Sequence, residues 1–437
     1  MRQVDTLIHA RYVVPIEPHG VALEHHSIAL DSGKIVAILP TEQARSSFLA
    51  RQTVERPEHV LLPGLVNTHT HAAMSLMRGL ADDLALMEWL EGHIWPTEGQ
   101  HISPEFVRDG TELAIAEFIK GGVTCFNDMY FFPDVVAATA ERMGIRAGVS
   151  LIVIEFPSAW ASSADEYFAK GVELAQQLRG SALVKPVFGP HAPYTVSDAS
   201  LTRVRELSGK LNIPVQIHLH ETAFEVESSV QQHGVRPFER LARLGLIAPD
   251  VLAVHMTQLT GQEIDAAARA QLKVVHCPES NLKLASGFCP VERLRQAGVC
   301  VALGTDGAAS NNDLDLFGEM RTAALLAKAV ASDARALPAA SALRMATLDG
   351  ARALGRDAEI GSLEVGKAAD VIAVDLRRIS SVPLYSVISH LVYTAQAGQV
   401  SDVWIGGARR LENGVLLGID ESALIDKALA WSKVIRP

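Results

Sequence analysis

Eight apolar, β-branched runs recur through the middle of this chain, and helical stretches separate them. The runs are VLLPGLVNTHTH (60–71), VTCFNDM (123–129), RAGVSLIVI (146–154) and LVKPVFGPH (183–191). They continue as PVQIHLHE (214–221), VLAVHM (251–256), KVVHCPES (273–280) and VCVALGTDG (299–307). Stretches such as Glu105–Lys120, Ser197–Leu211, Gly261–Ala270 and Leu314–Ala331 read as helices. Strand alternating with helix predicts a parallel sheet, and eight such units predict a closed (β/α)8 TIM-like barrel of the α/β class. Strands buried on both faces read as near-continuous apolar runs, as these do.

The chain ends have a different rhythm. Asp5–Ile16 and Ile28–Leu39 alternate like strands, with a turn at Asp31-Ser32-Gly33-Lys34. AADVIAVDL (368–376) and VSDVWIGGARRLENGVLL (400–417) do the same, with a hairpin turn at Glu412-Asn413-Gly414 and a last helix over Glu421–Val434. The length of 437 residues suits one barrel plus a small domain. The expected division is a small β-sandwich module from 1–60 and 362–437, and a catalytic barrel over 61–361.

Composition narrows the partners. The formal net charge is −11 and no Lys/Arg cluster stands out, which argues against nucleic acid and favours a small neutral or zwitterionic ligand. The four cysteines (Cys125, Cys277, Cys289 and Cys300) show no CxxC spacing, so no disulfide framework is expected. The N-terminus lacks an apolar signal core, and no run approaches the roughly 20 apolar residues of a membrane span. A reducing, cytoplasmic location is the expectation, with no membrane partner.

Of sixteen histidines, five fall at or just past predicted strand ends: His69, His71, His191, His218 and His255. A barrel gathers its site at that face. Residues i and i+2 of a strand share a side, so His69 and His71 can aim two imidazoles at one point. His218 ends the fifth run and Asp306 the eighth. Three imidazoles and a carboxylate form a plausible site for zinc, iron or nickel with room for water. His220 follows His218 at i+2 and is a further candidate to line the pocket. His276 reads as a core histidine. Asn281 and Asn311-Asn312 read as loop-shaping amides. Other hydrolytic signatures (GxSxG, HExxH, HxE…PCxxC) are missing. A two-metal site often takes a lysine at the fourth strand's end; here that end is GPHAPY, and Lys185 lies near the strand's start. One ion is expected.

The motifs PGLVNTHTHAAMSLMRG, GPHAPY, IHLHET, PESNLKL and LGTDGAASNNDLDLFGEMR resemble the amidohydrolase superfamily, and within it the methylthioadenosine/S-adenosylhomocysteine deaminases. The resemblance spans nearly the whole chain. It implies one divalent ion per subunit, zinc with iron(II) as the alternative, on His69, His71, His218 and Asp306. It implies proton transfer by Glu221, His255 and Asp306, and substrate contacts from Glu98, His191, Glu221 and Asp306. The implied reaction is hydrolytic deamination of an adenine nucleoside through metal-bound hydroxide: 5′-methylthioadenosine to 5′-methylthioinosine, with S-adenosylhomocysteine and adenosine as further substrates. A homo-oligomer, dimer or tetramer, is implied as well.

Two alternatives stay open. One is a deaminase or chlorohydrolase of a guanine-, pterin- or triazine-like ring; the other is a non-catalytic barrel. One departure from the family is informative. Some members carry arginines in and after the third strand, but VSLIVIEFPSAWASSADE has none. Phe156 and Trp160 occupy that loop, which favours an apolar methylthio group over a homocysteine carboxylate. Arg146 precedes the strand and should lie at the opposite end of the barrel.

Overall fold

The computed structural model describes residues 1–435. Eight strands form the barrel: Leu65–Thr70, Val123–Asp128, Arg146–Val153, Val184–Pro190, Val215–Leu219, Val251–His255, Lys273–His276 and Cys300–Leu303. Each lies parallel to the next. The first and last are tied by Thr68 Oγ1 donating to Leu303 O (2.7 Å) and by Asp306 N donating to His69 O (3.1 Å). The expected helices are present as Pro104–Lys120, Asp198–Leu211, Gly261–Arg269 and Leu316–Ala331. Their starts are set by side-chain caps from Ser103, Ser197, Thr260 and Asp315, each accepting from a backbone N–H of the first turn.

A second eight-stranded sheet is built from both chain ends. Its order runs Val415–Leu416, Ala408–Glu412, Val400–Ile405, Val371–Asp375, Phe48–Pro63, Arg2–Val13, Leu23–Asp31 and Lys34–Pro40. Ile28 and Ile35 from one arm meet Val371 and Trp404 from the other in a single apolar cluster, so the sheet folds onto itself like a sandwich. The long strand Phe48–Pro63 had no counterpart in the sequence reading. It joins the two chain ends, pairing parallel with Arg2–Val13 and antiparallel with Val371–Asp375.

That strand also divides the run 60–71. Val60–Pro63 belongs to the terminal sheet, and the barrel begins only at Leu65. Gly64 is the joint. A Cβ there would come within 2.0 Å of Thr124 Oγ1, so only glycine lets the chain pass this close to the second barrel strand.

Arg146, the first residue of the third strand, sits at the barrel floor as expected. Its guanidinium makes two bonds to Asp370, Nε at 2.7 Å and Nη2 at 3.0 Å. All four cysteines are free. Among the described residues no helix is long and apolar enough to cross a membrane.

Candidate metal centre and active site

The ends of the first, fifth and eighth strands bring His69, His71, His218 and Asp306 together, with their ligand atoms all within 4.8 Å of one another. His69 is fully buried, and His218 and Asp306 nearly so. Each imidazole is anchored through Nδ1 to an atom that can only accept. His69 donates to Gln216 Oε1 (3.2 Å), His71 to Met129 O (2.5 Å) and His218 to His191 O (2.7 Å). The proton is therefore on Nδ1, and each Nε2 turns a lone pair inward.

Those lone pairs crowd. His69 Nε2 lies 3.1 Å from His218 Nε2. Asp306 Oδ1 lies 3.1 Å from His71 Nε2 and 3.4 Å from His69 Nε2. Burial pushes His69 and His218 toward the neutral form, with no proton to share between them, whereas Asp306 draws the His71 ring up to about 8, so this point attracts positive charge. A tetrahedral ion with bonds of about 2.0–2.1 Å holds its donors about 3.3–3.4 Å apart. The donor set fits one divalent cation.

Asp306 is oriented with the same care. Its Oδ2 accepts from Ser280 Oγ (2.7 Å) and Ser310 Oγ (2.8 Å), which leaves Oδ1 facing the histidines. Burial opposes the charge on Asp306. The adjacent His69 and His71 rings outweigh this and hold it well below the usual carboxylate range. Beneath the cluster, Gln216 ties the strands together: Oε1 also accepts from Asn127 Nδ2 (2.8 Å), and Nε2 donates to Ser150 Oγ (2.6 Å). Partners of this kind fix ring orientation and tune metal affinity.

Three strand-end residues adopt the left-handed backbone: His220 (φ 53°), His255 (φ 77°) and Asp306 (φ 60°). Such strain is held by the surrounding fold and concentrates at functional sites. It also corrects the expectation for His220. The positive φ breaks the strand alternation, so His220 does not share the side of His218. It is fully buried, with Nε2 accepting from Phe238 N at 3.1 Å, and it does not line the cavity.

A cavity of about 800 Å³, counted to its open mouth, spreads over the metal cluster. Glu98, His191, Glu221, His255 and Ser310 all line it. Burial, then the charges of Asp306 and Glu225, push the Glu221 carboxyl well above the usual range, which favours its protonated form. Its backbone is pinned because Glu225 accepts from the N–H groups of both His220 and Glu221. His255 Nε2 lies 3.7 Å from Glu221 Oε2, and its Nδ1 accepts from Asn281 Nδ2 at 3.0 Å. Burial lowers His255 and His191 to about 3, so both are neutral. Asn281 thus does more than shape a loop.

Two expectations change. Trp160 does not reach the cavity; it packs inward, 5.6 Å from the Tyr167 ring. The apolar wall comes instead from the loop after the first strand, where Leu86, Trp89, Leu90, Ile94 and Trp95 face Phe156. This loop holds short helical turns with no clean period, so nothing in the sequence marked it. Gln216 did carry a signal: it stands two residues before His218 and shares its side of the strand. His276 is a core residue, as expected. It is buried and outside the ligand set. Lys185 lies at the floor end of its strand, exposed, with Nζ donating to Ser181 O.

The model of the amidohydrolase family matches residues 60–410. This chain belongs to the amidohydrolase family. Its relatives within that family include a 5-methylthioadenosine/S-adenosylhomocysteine deaminase of Saccharophagus degradans, 47% identical over 99% of this chain and 97% of the relative. A 5′-deoxyadenosine deaminase of Methanosarcina acetivorans is 41% identical over 97% of this chain and 96% of its own length. Among solved structures, an adenosine deaminase from Xanthomonas campestris with bound zinc superposes with a TM-score of 0.99, at 57% identity, covering 99% of both chains. The amidohydrolase barrel and the donor set described above therefore stand on the sequence, the geometry and these relatives together. The chain groups with the 5-methylthioadenosine/S-adenosylhomocysteine deaminases.

Proposed function

We propose that this amidohydrolase is a hydrolytic deaminase of adenine nucleosides, converting 5′-methylthioadenosine to 5′-methylthioinosine and ammonia. S-adenosylhomocysteine and adenosine are its further substrates. One observation carries the reading: a buried carboxyl, Glu221, faces the same cavity as a donor set of three imidazoles and a carboxylate, and its surroundings favour the protonated form. Deamination needs both an activated water and an acid for the ring nitrogen.

His69, His71, His218 and Asp306 would hold the cation, with zinc supported by the Xanthomonas structure. When bound, such an ion lowers the pKa of a coordinated water to about 7 and so supplies a nucleophile at neutral pH. The protein's own groups handle the rest. Glu221 gives its proton to the ring nitrogen beside the amino-bearing carbon, which makes that carbon electrophilic. His255, neutral and held by Asn281, orients the attacking water. Asp306 Oδ1 takes the water's second proton, because Oδ2 is already filled by two serine hydroxyls. That proton passes to the departing amine, and ammonia leaves.

At the other end of the substrate, Glu98 accepts from the ribose hydroxyls and His191 makes a second contact. Among the described residues the cavity lining holds no lysine or arginine; Trp95 and Phe156 stand there, with ring centroids 6.2 Å apart. An apolar methylthio group suits this wall better than a zwitterionic homocysteine. The same reading carries a cytoplasmic location, supported by the four free cysteines. It also carries a homo-oligomeric assembly, supported by the resemblance alone. The test is to incubate zinc-replete protein with methylthioadenosine, adenosine and S-adenosylhomocysteine and follow the ultraviolet shift from adenine to hypoxanthine. The highest kcat/KM is expected for methylthioadenosine. A clear preference for S-adenosylhomocysteine would overturn the substrate order, and no shift with any of them would overturn the function.

A further inference from the structure

A single turn after the second barrel strand touches both halves of the site. Asp128 ends that strand, and its Oδ1 accepts from Ala72 N at 2.6 Å, just beyond the first two metal ligands. Met129 O is the acceptor for His71 Nδ1 at 2.5 Å. Tyr130 Oη donates to Glu98 Oε1 at 2.8 Å, and the tyrosine is 4% exposed. Three successive residues thus hold the strand-one loop, a metal ligand and the carboxylate at the far end of the cavity.

Glu98 needs such a hold. It sits on the short helix Trp95–His101, in a long segment of brief turns between the first and second strands. No hydrogen bond from a side chain other than Tyr130 reaches its carboxylate. The ring of Tyr130 lies 6.5 Å from His71 and 5.5 Å from Phe131, so it is packed along its length and its hydroxyl has a fixed position. The bond occupies Oε1 of Glu98 and leaves Oε2 for a ligand.

We infer that Tyr130 is a positioning residue for substrate recognition: through Glu98 it fixes where the sugar sits, at a set distance from the metal ligand His71. The inference rests on the reading of Glu98 as the ribose contact. Tyr130 does not touch the reacting atoms. Its effect falls on binding of the vicinal hydroxyls and leaves the chemical step alone. A rigid side chain bonded to a half-buried carboxylate is well suited to this, because a small misplacement of an anchor weakens every turnover.

The test is Tyr130→Phe, which removes one oxygen and keeps the packed ring. KM would be measured for adenosine and for 2′,3′-dideoxyadenosine, with zinc content determined on the same samples. The expected result is a KM for adenosine raised about tenfold, as for loss of one hydrogen bond to a charged group, at nearly unchanged kcat. For the dideoxy compound, which offers no vicinal hydroxyls, KM should stay within about twofold of the parent enzyme's. Equal changes for both substrates, no change for either, or loss of zinc would overturn the inference, since each points to a structural role or to none. Glu98→Gln separates the layers. If Glu98→Gln leaves KM for adenosine unchanged, the ribose reading of Glu98 fails, and the inference with it. If the parent enzyme deaminates none of methylthioadenosine, adenosine and S-adenosylhomocysteine, the function itself fails.

Discussion

At the floor of the barrel, Arg146 and Asp370 are bound to each other by two short hydrogen bonds, and Gly406 N donates a third to the same carboxylate at 2.7 Å. The two charges of this pair are matched inside the protein. At the mouth, His69 and His218 bring two inward-facing nitrogens to 3.1 Å, and a carboxylate joins them with one oxygen turned in. That cluster attracts positive charge, and Asp306 draws the His71 ring up to about 8. The floor is built for stability, and the mouth is built for something the chain does not itself contain. Buried polar groups are satisfied wherever only folding is at stake. Where four are aimed at one point and anchored from behind, the fold is holding them for a ligand.

The sharpest way to separate the two ends is to remove one buried carboxyl from each. Glu221→Gln keeps the shape at the mouth and removes the proton donor; kcat should fall by about 100- to 10,000-fold, with zinc content and melting temperature unchanged. Steady-state kinetics with parallel metal analysis checks this. Asp370→Ala at the floor should do the reverse. It leaves Arg146 buried without a partner, and unfolding free energy should fall by about 3–5 kcal/mol while kcat per folded molecule holds. Denaturant titration together with active-site counting measures both. If Asp370→Ala lowered kcat as much as stability, the separation of roles would break.

A smaller effect sharpens the mouth itself. Gln216 is neither a member of the donor set nor a lining residue of the cavity, yet it accepts from His69 and bonds to three other strands. Gln216→Leu should weaken zinc binding by about 10- to 100-fold, read by competition with a chelator, because it frees the ring of His69. An unchanged affinity would mean that the strand backbone alone aims this histidine.

The same contrast explains what the sequence made legible. The ligand set could be read because strand alternation and barrel topology both place His69, His71, His218 and Asp306 at one face. The floor pair could be read only in part: Arg146 was put at the correct end, but its partner Asp370 lies 224 positions away, with no periodic signal between them. The wall around the substrate was not legible. Leu86–Trp95 follows neither a 2- nor a 3.6-residue period, and its side chains face the cavity because the loop folds back over the barrel mouth. Trp160 misled for a related reason. It lies in the loop beside Phe156, but Ile152, Ile154 and Tyr167 offer it an apolar niche, and it turns away from the substrate. The division of the run 60–71 at Gly64 was hidden because two strands in different sheets follow one another without a polar break.

Together the mouth cluster and Glu221 make a zinc-dependent deaminase of adenine nucleosides. The most direct measurement is to strip the metal with a chelator, restore zinc stepwise, and record the ultraviolet shift of methylthioadenosine at each step. Turnover should be lost on stripping, then rise linearly and reach its plateau at one zinc per chain. Full activity in the metal-free protein, or a plateau at two ions, would contradict it.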